Sequence, residues 1–267
     1  RDKRFELLKP AKTGIYFNNA LEETYDNNIL TYQDFYSGGG VSIGDINNDG
    51  LPDVCLTGNM VPAKLFLNTG EFKFIDITES SGLSDMGKGW YTGTAMIDIN
   101  NDKYLDIYIC KSGIYAPDDR ENLLFINNQD NTFTEMGEKY GLNHAGYAVN
   151  ATFFDYDNDL DLDVFLVNQG PEKFATEDLE KLRKEIHEFC GDKLFENLGN
   201  KFIDVTEKSG IISSVIGFGH GVAIGDINKD GFEDIFVSND FFEHDYIYFN
   251  NGDKTFRETI KNSTKHI

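Results

Sequence analysis

The stretch D-I-N-N-D-G-L-P-D at residues 45–53 decides how this chain is read, because its oxygen-bearing side chains stand at positions 1, 3, 5 and 9 of nine. The spacing of Asp45, Asn47, Asp49 and Asp53 returns three times. It is found at Asp98, Asn100, Asp102 and Asp106; at Asp155, Asp157, Asp159 and Asp163; and at Asp226, Asn228, Asp230 and Asp234. Alternate residues of a tight loop point inward, so side chains at positions 1, 3 and 5 converge on one centre. The backbone carbonyl at position 7 (Leu51, Tyr104, Asp161 or Phe232) adds a further oxygen, and the last Asp closes the cage. Hard oxygen donors with no Cys or His among them suit calcium, Ca2+, rather than zinc. An EF-hand shares the first half of the pattern, but it needs a Glu at position 12 and a helix on each side. Position 12 here is Leu56, Ile109, Leu166 or Val237, each inside a short apolar run. A strand therefore leaves the loop, and the EF-hand is excluded.

Outward from the loops, the same pattern repeats. The loops begin 53, 57 and 71 residues apart, which is the length of a propeller blade. A small-residue segment leads into each one (residues 38–44, 92–97, 150–154 and 219–225), and a β-rich run follows. A third strand ends in Asn68, Asn127, Asn197 or Asn250, and a fourth carries a Phe among alternating polar residues, as at 72–78 and 202–206. Turn residues separate these last two strands as in a hairpin. The expected fold is all-β, a β-propeller of four-stranded blades with one short helical insertion. Blades are expected near 37–85, 86–145, 146–213 and 214–267, either as a closed four-blade ring or as part of a larger one. A β-sandwich with calcium loops is the alternative, but it does not explain repetition at blade length. Residues 1–36 carry no loop, and residues 15–18 read as a strand that completes a blade formed elsewhere.

From the last Asp of the loop to the third-strand Asn takes 15, 21, 34 and 16 residues, so repeat 3 holds an insertion at 171–192. Thr176 can cap a helix there, with Glu177 and Asp178 in its first turn and Gly191 at its end. Leu179, Leu182, Ile186 and Phe189 share one face. That face either covers its own blade or docks a partner.

Of 267 residues, 40% are hydrophobic and 26% charged, the composition of a globular protein. The net charge is −22, and fifteen of the 46 acidic residues lie inside the four loops, so four divalent ions would bring it to −14. With no basic stripe to neutralise phosphates, nucleic acid is not an expected partner. No run reaches the roughly 18 apolar residues of a membrane span. Cys55, Cys110 and Cys190 form no C-x-x-C and read as small buried hydrophobes.

Signals for catalysis are weak. His144, His187, His220, His244 and His266 are scattered without H-E-x-x-H, and no G-x-S-x-G elbow or phosphate loop occurs. His220, in the Gly-rich strand of repeat 4, is either a structural polar residue near the axis or a channel-facing one. Glu79, Glu135, Glu207 and Glu258 are read as recurring at equivalent fourth-strand positions, which points to blade architecture rather than to a catalytic pair. Trp90 and Tyr91 precede the first strand of repeat 2, either buried between blades or exposed to stack on a sugar or a protein. The expectation is a non-enzymatic binding module. A carbohydrate-binding or carbohydrate-active propeller, lyase or hydrolase, is the alternative.

Three phrases carry a family resemblance: F-E-L-L-K-P-A-K-T-G-I-Y-F-N-N at 5–19, G-G-G-V-S-I-G-D-I-N-N-D-G-L-P-D at 38–53 and F-F-D-Y-D-N-D-L-D-L-D at 153–163. The chain resembles the FG-GAP/VCBS-repeat proteins, whose calcium blades are like those of the integrin α-subunit propeller. More narrowly, it resembles the N-terminal part of large VCBS-repeat surface lipoproteins of Bacteroidetes-type bacteria. The resemblance implies up to four Ca2+ ions, one per loop, on the residues named above. It also implies secretion, a lipid anchor outside this chain, display on the outer membrane and further blades. A protein partner in an outer-membrane complex is the first expectation and polysaccharide the second. Position 6 departs from the pattern: it is Gly50 and Gly231 in repeats 1 and 4 but Lys103 and Leu160 in repeats 2 and 3. A left-handed conformation there costs a non-Gly residue roughly 1–2 kcal/mol. Asp157 adds a carboxylate that offsets this in repeat 3, which leaves repeat 2 as the weakest expected site.

Overall fold

The computed structural model describes residues 5–170, 178–199 and 201–263; Thr176, Glu177 and His266 lie outside the described residues. Blade 1 is β1 (Val41–Gly44), β2 (Asp53–Leu56), β3 (Lys64–Asn68) and β4 (Phe74–Asp76). Blade 2 is β5 (Trp90–Ile97), β6 (Asp106–Ser112), β7 (Leu123–Asn127) and β8 (Phe133–Glu135). Blade 3 is β9 (Ala148–Phe154), β10 (Asp163–Asn168), β11 (Lys193–Asn197) and β12 (Phe202–Asp204). Blade 4 is β13 (Gly219–Gly225), β14 (Asp234–Asn239), β15 (Tyr246–Asn250) and β16 (Phe256–Glu258). Within each sheet the strands pair antiparallel in chain order. Four-residue helical turns punctuate them: α1 (Pro10–Thr13), α2 (Pro117–Arg120), α3 (Gly137–Tyr140), α4 (Leu179–Leu182), α5 (Thr206–Ser209) and α6 (Ile260–Ser263).

First strands lie side by side, β1 against β5, β5 against β9 and β9 against β13. Every acidic loop follows a first strand, so all four stand at one end of the sheets. No comparable seam joins β13 to β1, and Val41 and Ile43 are 59% and 66% exposed. The described sheets thus form an arc rather than a closed four-blade ring. Small residues permit the close approach at the axis: a Cβ on Gly93 would stand 2.5 Å from the Val149 carbonyl oxygen.

The cores sit between the sheets. Successive strand residues point to opposite faces, so β6 sends Ile107 and Ile109 toward Cys55 and Leu65 of blade 1 and Tyr108 and Cys110 toward Val164 and Leu166 of blade 3. Phe165 and Leu194 then pack against Ile235, Val237 and Tyr248 of blade 4. All of β6 and β10 is buried. That double-sided burial is why they read as nearly continuous apolar runs. Each such Leu, Ile or Val stabilises the seam by about 1.5–3 kcal/mol. The three cysteines are buried and free, as expected.

A repeated joint links blade to blade. An acid ending each fourth strand (Asp76, Glu135, Asp204 or Glu258) accepts the N–H two residues on, at 3.0, 2.8, 2.9 and 2.5 Å. These are the equivalent positions; Glu79 and Glu207, expected to be equivalent to Glu135 and Glu258, lie instead in the following turns. Gly82, Gly141 and Gly210 end those turns with φ of 85°, 75° and 81°. Their missing Cβ atoms would stand 3.0, 2.7 and 2.8 Å from the carbonyl oxygens of Phe133, Phe202 and Phe256 in the next blade. Gly14 ends α1 with φ 82° against the Phe74 oxygen, so the N-terminal segment repeats the joint. Residues 15–18 form no strand, contrary to expectation. Asn19 instead accepts the Asn59 N–H at 2.8 Å beside blade 1.

Two further expectations are corrected. Glu71 and Phe72 both take left-handed φ, so the fourth strand of blade 1 starts at Phe74 and not at Phe72. Among its described residues the insertion holds only the short α4, capped by Asp178, which accepts the Glu180 N–H at 3.1 Å. Beyond it the chain leaves the helix, because Val215 donates to the Glu185 carbonyl and Ile186 bridges to Ser214. Ile186 is 64% exposed, while Leu182 and Cys190 pack on Val215 and Ile216. The described part of the insertion covers its own protein.

Candidate metal centres

The four loops share one hydrogen-bond design. The carboxylate at position 1 accepts the N–H of position 5 at 3.1, 3.0, 3.0 and 3.1 Å in chain order. Its second oxygen accepts the N–H of position 6 at 2.7, 2.8, 3.0 and 3.0 Å. The position 3 oxygen also takes the N–H of position 5, and the carboxylate at position 5 takes the N–H of position 7. Backbone donors thus turn three side chains inward. The winding needs two left-handed residues per loop. Position 6 is one, with φ of 86°, 73°, 77° and 93° at Gly50, Lys103, Leu160 and Gly231. Position 4 is the other, at Asn48, Asn101, Asn158 and Lys229; Asn tolerates this conformation better than most residues.

The residues present fit a hard cation. Oxygens of Asp155, Asp157 and Asp159 lie within 4.8 Å of one another, and Asp161 holds a buried oxygen without a hydrogen-bond partner. Burial, followed by the charge of Asp159, pushes the Asp161 carboxyl up to about 6. In the other three loops Asn replaces the middle carboxylate, so Asp45 with Asp49, Asp98 with Asp102, and Asp226 with Asp230 supply the charge.

Position 9 has a different environment from positions 1, 3 and 5. Asp53, Asp106, Asp163 and Asp234 are 0%, 0%, 1% and 0% exposed. One oxygen of each accepts the N–H of position 2 (Ile46, Ile99, Tyr156, Ile227) at 2.9–3.1 Å. The other accepts the N–H of the third-strand Asn at 2.7, 2.8, 2.8 and 2.9 Å. These Asp residues pin the loop to the middle of the blade. Burial pushes Asp106 and Asp163 up to about 7 and raises Asp53, against the lowering effect of those N–H donors.

Sequence reasoning read the third-strand Asn only as a strand end. Its amide donates to the carbonyl of position 8, Pro52, Leu105, Leu162 or Glu233. In Asn127 and Asn250 it also crosses to the preceding blade, reaching the carbonyls of Ile46 at 2.8 Å and Tyr156 at 2.7 Å. Its recurrence in all four repeats was the available signal. Lys254 was also missed, although it stands against Asp157 and Glu196.

Trp90 and Tyr91 are 1% and 4% exposed, with Trp90 packed edge-on against Tyr32, so the pair is buried. Trp90 opens β5 rather than preceding it. His220 faces the axial channel and lies 3.8 Å from Asp240.

Residues 45–109 and 114–166 match the family model of the FG-GAP-like repeat, and residues 218–250 that of the FG-GAP repeat. Cartilage acidic protein 1 of Xenopus tropicalis is 27% identical over 208 residues, covering 76% of this chain and 29% of that protein. The Homo sapiens protein of the same name is 27% identical over 205 residues, covering 76% and 28%. The chain spans less than a third of the length of these curated relatives. Both are vertebrate proteins, and neither match carries the resemblance to bacterial lipoproteins any further.

Proposed function

The chain belongs to the FG-GAP repeat family, and we propose that it is a calcium-stabilised β-propeller module that binds another protein outside the cell. The observation that carries the calcium reading is the convergence of Asp155, Asp157 and Asp159 in a loop design repeated four times. Bound calcium would replace repulsion among clustered carboxylates with coordination at positions 1, 3 and 5. Positions 7 and 9 would complete the set, with position 9 sharing oxygens that already accept N–H groups. Extracellular calcium modules bind at about 10⁻⁴–10⁻³ M, which keeps such sites empty in cytosol and filled outside. That contrast, with the surface-lipoprotein resemblance, supports display on a bacterial outer membrane and a partner within a complex there. FG-GAP repeats are protein-interaction modules, which favours a protein partner over polysaccharide and binding over catalysis.

Native mass spectrometry across a calcium titration tests the metal reading. Up to four ions are expected, with a higher melting temperature, and no uptake at millimolar calcium sinks it. Crosslinked capture from outer membranes, with calcium and with chelator, then tests the partner. A partner of membrane origin retained only in calcium is expected, and the same recovery by a scrambled-loop variant overturns the reading.

A further inference from the structure

Away from the acidic loops, at the opposite end of the sheets, two cavities share a wall made of Tyr32, Asp34 and Gln169. One, of about 350 Å³, follows the axis between the first strands. The other, of about 340 Å³, lies between the Gln33–Tyr36 turn, α2 and the mouths of blades 2 to 4. Four aromatic residues, Tyr32, Tyr115, Tyr147 and Phe218, stand on its wall. Its volume falls in the range of small-molecule sites.

Two opposite charges stand on the wall of this second cavity. Asp34 is 8% exposed and Arg120 is 4% exposed. One Asp34 oxygen accepts the Ser37 hydroxyl at 2.9 Å, and Oδ2 is buried without a hydrogen-bond partner. Arg120 Nε and Nη2 donate to the Ala145 carbonyl at 3.3 and 3.2 Å, and Nη1 to the Tyr115 carbonyl at 3.1 Å. A guanidinium carries five N–H donors, so two are left over. Its Cζ lies over the Tyr147 ring, 4.0 Å from the ring centre. Among the described residues neither charge has an ion-pair partner, and the two do not pair with each other.

Charges withdrawn from water are normally paired. A ligand carrying both an ammonium and a carboxylate would complete both groups at once. We propose that this cavity binds a small zwitterion of the α-amino-acid class, with its ammonium on Asp34, its carboxylate on Arg120 and its side chain among the aromatic rings. The net charge of −22 favours entry of cations in general. Arg120 would then discriminate a zwitterion from a simple amine. No residue of the acidic loops takes part, so the site is independent of the calcium reading.

Isothermal titration of the full chain with the standard α-amino acids tests it, followed by phenethylamine and 3-phenylpropionate as ammonium-only and carboxylate-only probes. At least one amino acid is expected to give a saturable heat, with each single-charge probe weaker than phenylalanine by about tenfold or more. Asp34→Asn and Arg120→Lys are expected to abolish the heat. The absence of saturable binding by every amino acid at millimolar concentration overturns the site. A single-charge probe that binds as well as phenylalanine overturns the two-charge assignment, as does undiminished binding by Asp34→Asn. If a variant fails to fold, the probe comparison on the unaltered chain decides. Amino-acid binding that persists in chelator stands whether or not the loops take up calcium.

Discussion

Lys254 Nζ lies 2.5 Å from a carboxylate oxygen of Asp157, the middle acid of the blade 3 loop, and 2.5 Å from Glu196. The lysine extends from the turn between β15 and β16, so blade 4 supplies a cation to the loop of blade 3. Asp157 and then Glu196 raise the Lys254 pKa and hold the amine charged. Lys254→Met leaves two nearly buried carboxylates without their counter-charge. In chelator the expected loss is about 1–3 kcal/mol, below the value for a fully buried pair because Lys254 is 45% exposed. Added calcium should recover much of it by taking over the same charge. Chemical denaturation with and without calcium checks this, and equal losses in both media would remove Asp157 from the ligand set.

Asp49 and Asp53 lie in one loop but should differ in what their loss costs without calcium. Asp49 is exposed and accepts the Leu51 N–H at 2.8 Å. Asp49→Ala should cost about 1 kcal/mol or less in chelator and remove most of the stabilisation that loop gains from calcium. Asp53→Ala strands the N–H groups of Ile46 and Asn68 in the interior. It should cost about 2–4 kcal/mol already in chelator, with the loop's calcium stabilisation lost in addition. A cost for Asp53→Ala confined to calcium would show that the pin depends on metal.

Asn250 and Asn68 occupy equivalent positions, yet only Asn250 crosses a seam, to the Tyr156 carbonyl. Asn250→Ala should therefore destabilise by about 1–3 kcal/mol more than Asn68→Ala. Paired melts at one calcium concentration measure the difference. No difference would mean that the seam bond adds nothing beyond the apolar contacts.

Two buried groups near the other end of blade 3 titrate in opposite senses. Burial pushes Asp192 up to about 7, and burial, then Lys193, pushes His144 down to about 4. For Asp192 the folded value lies above the unfolded value of about 3.9. Its contribution is present below that value and is lost as pH rises toward 7. For His144 the folded value lies below about 6.5, so stability is lost as pH falls from there toward 4. The two slopes oppose each other in the shared window. Asp192→Asn should expose the histidine slope, with stability falling on acidification. His144→Gln should expose the aspartate slope, with stability falling as pH rises. Denaturation midpoints between pH 4 and 7, taken as differences from the unaltered chain, cancel the titration of the loop carboxylates. Parallel profiles for both variants would contradict the assignment.

Lys103 takes φ 73° at position 6 of the blade 2 loop, where Gly50 and Gly231 stand in blades 1 and 4. Lys103→Gly should relieve up to about 1 kcal/mol of left-handed strain, reduced by the greater freedom of glycine in the unfolded chain. A raised melting temperature in chelator is the expected result.

The loops and the sixteen described strands were legible because spacing at 1, 3, 5 and 9 and alternation with a period of two are local facts. What failed depended on partners distant in the chain. Leu179, Leu182, Ile186 and Phe189 have helical spacing, but the backbone at Glu185 and Ile186 is claimed by Val215 and Ser214. The segment after Gly14 is apolar enough for a strand, but the chain there is held beside blade 1 by the side-chain and backbone bonds between Asn19 and Asn59 rather than by a strand ladder. Fourth-strand acids were misaligned because Glu79 and Glu207 share a side chain with Glu135 but not its place beside the joint. The Asp34–Arg120 cavity left no trace, since its two charges are 86 positions apart and occur in no motif.

The joint at Gly14 is built like those at Gly82, Gly141 and Gly210, with a plug carried by one unit and a socket offered by the next. A duplication cut at such a point passes on both halves intact, so a new unit inherits its fit to its neighbours. Lineages built this way can gain or lose whole units while the local geometry between them stays constant.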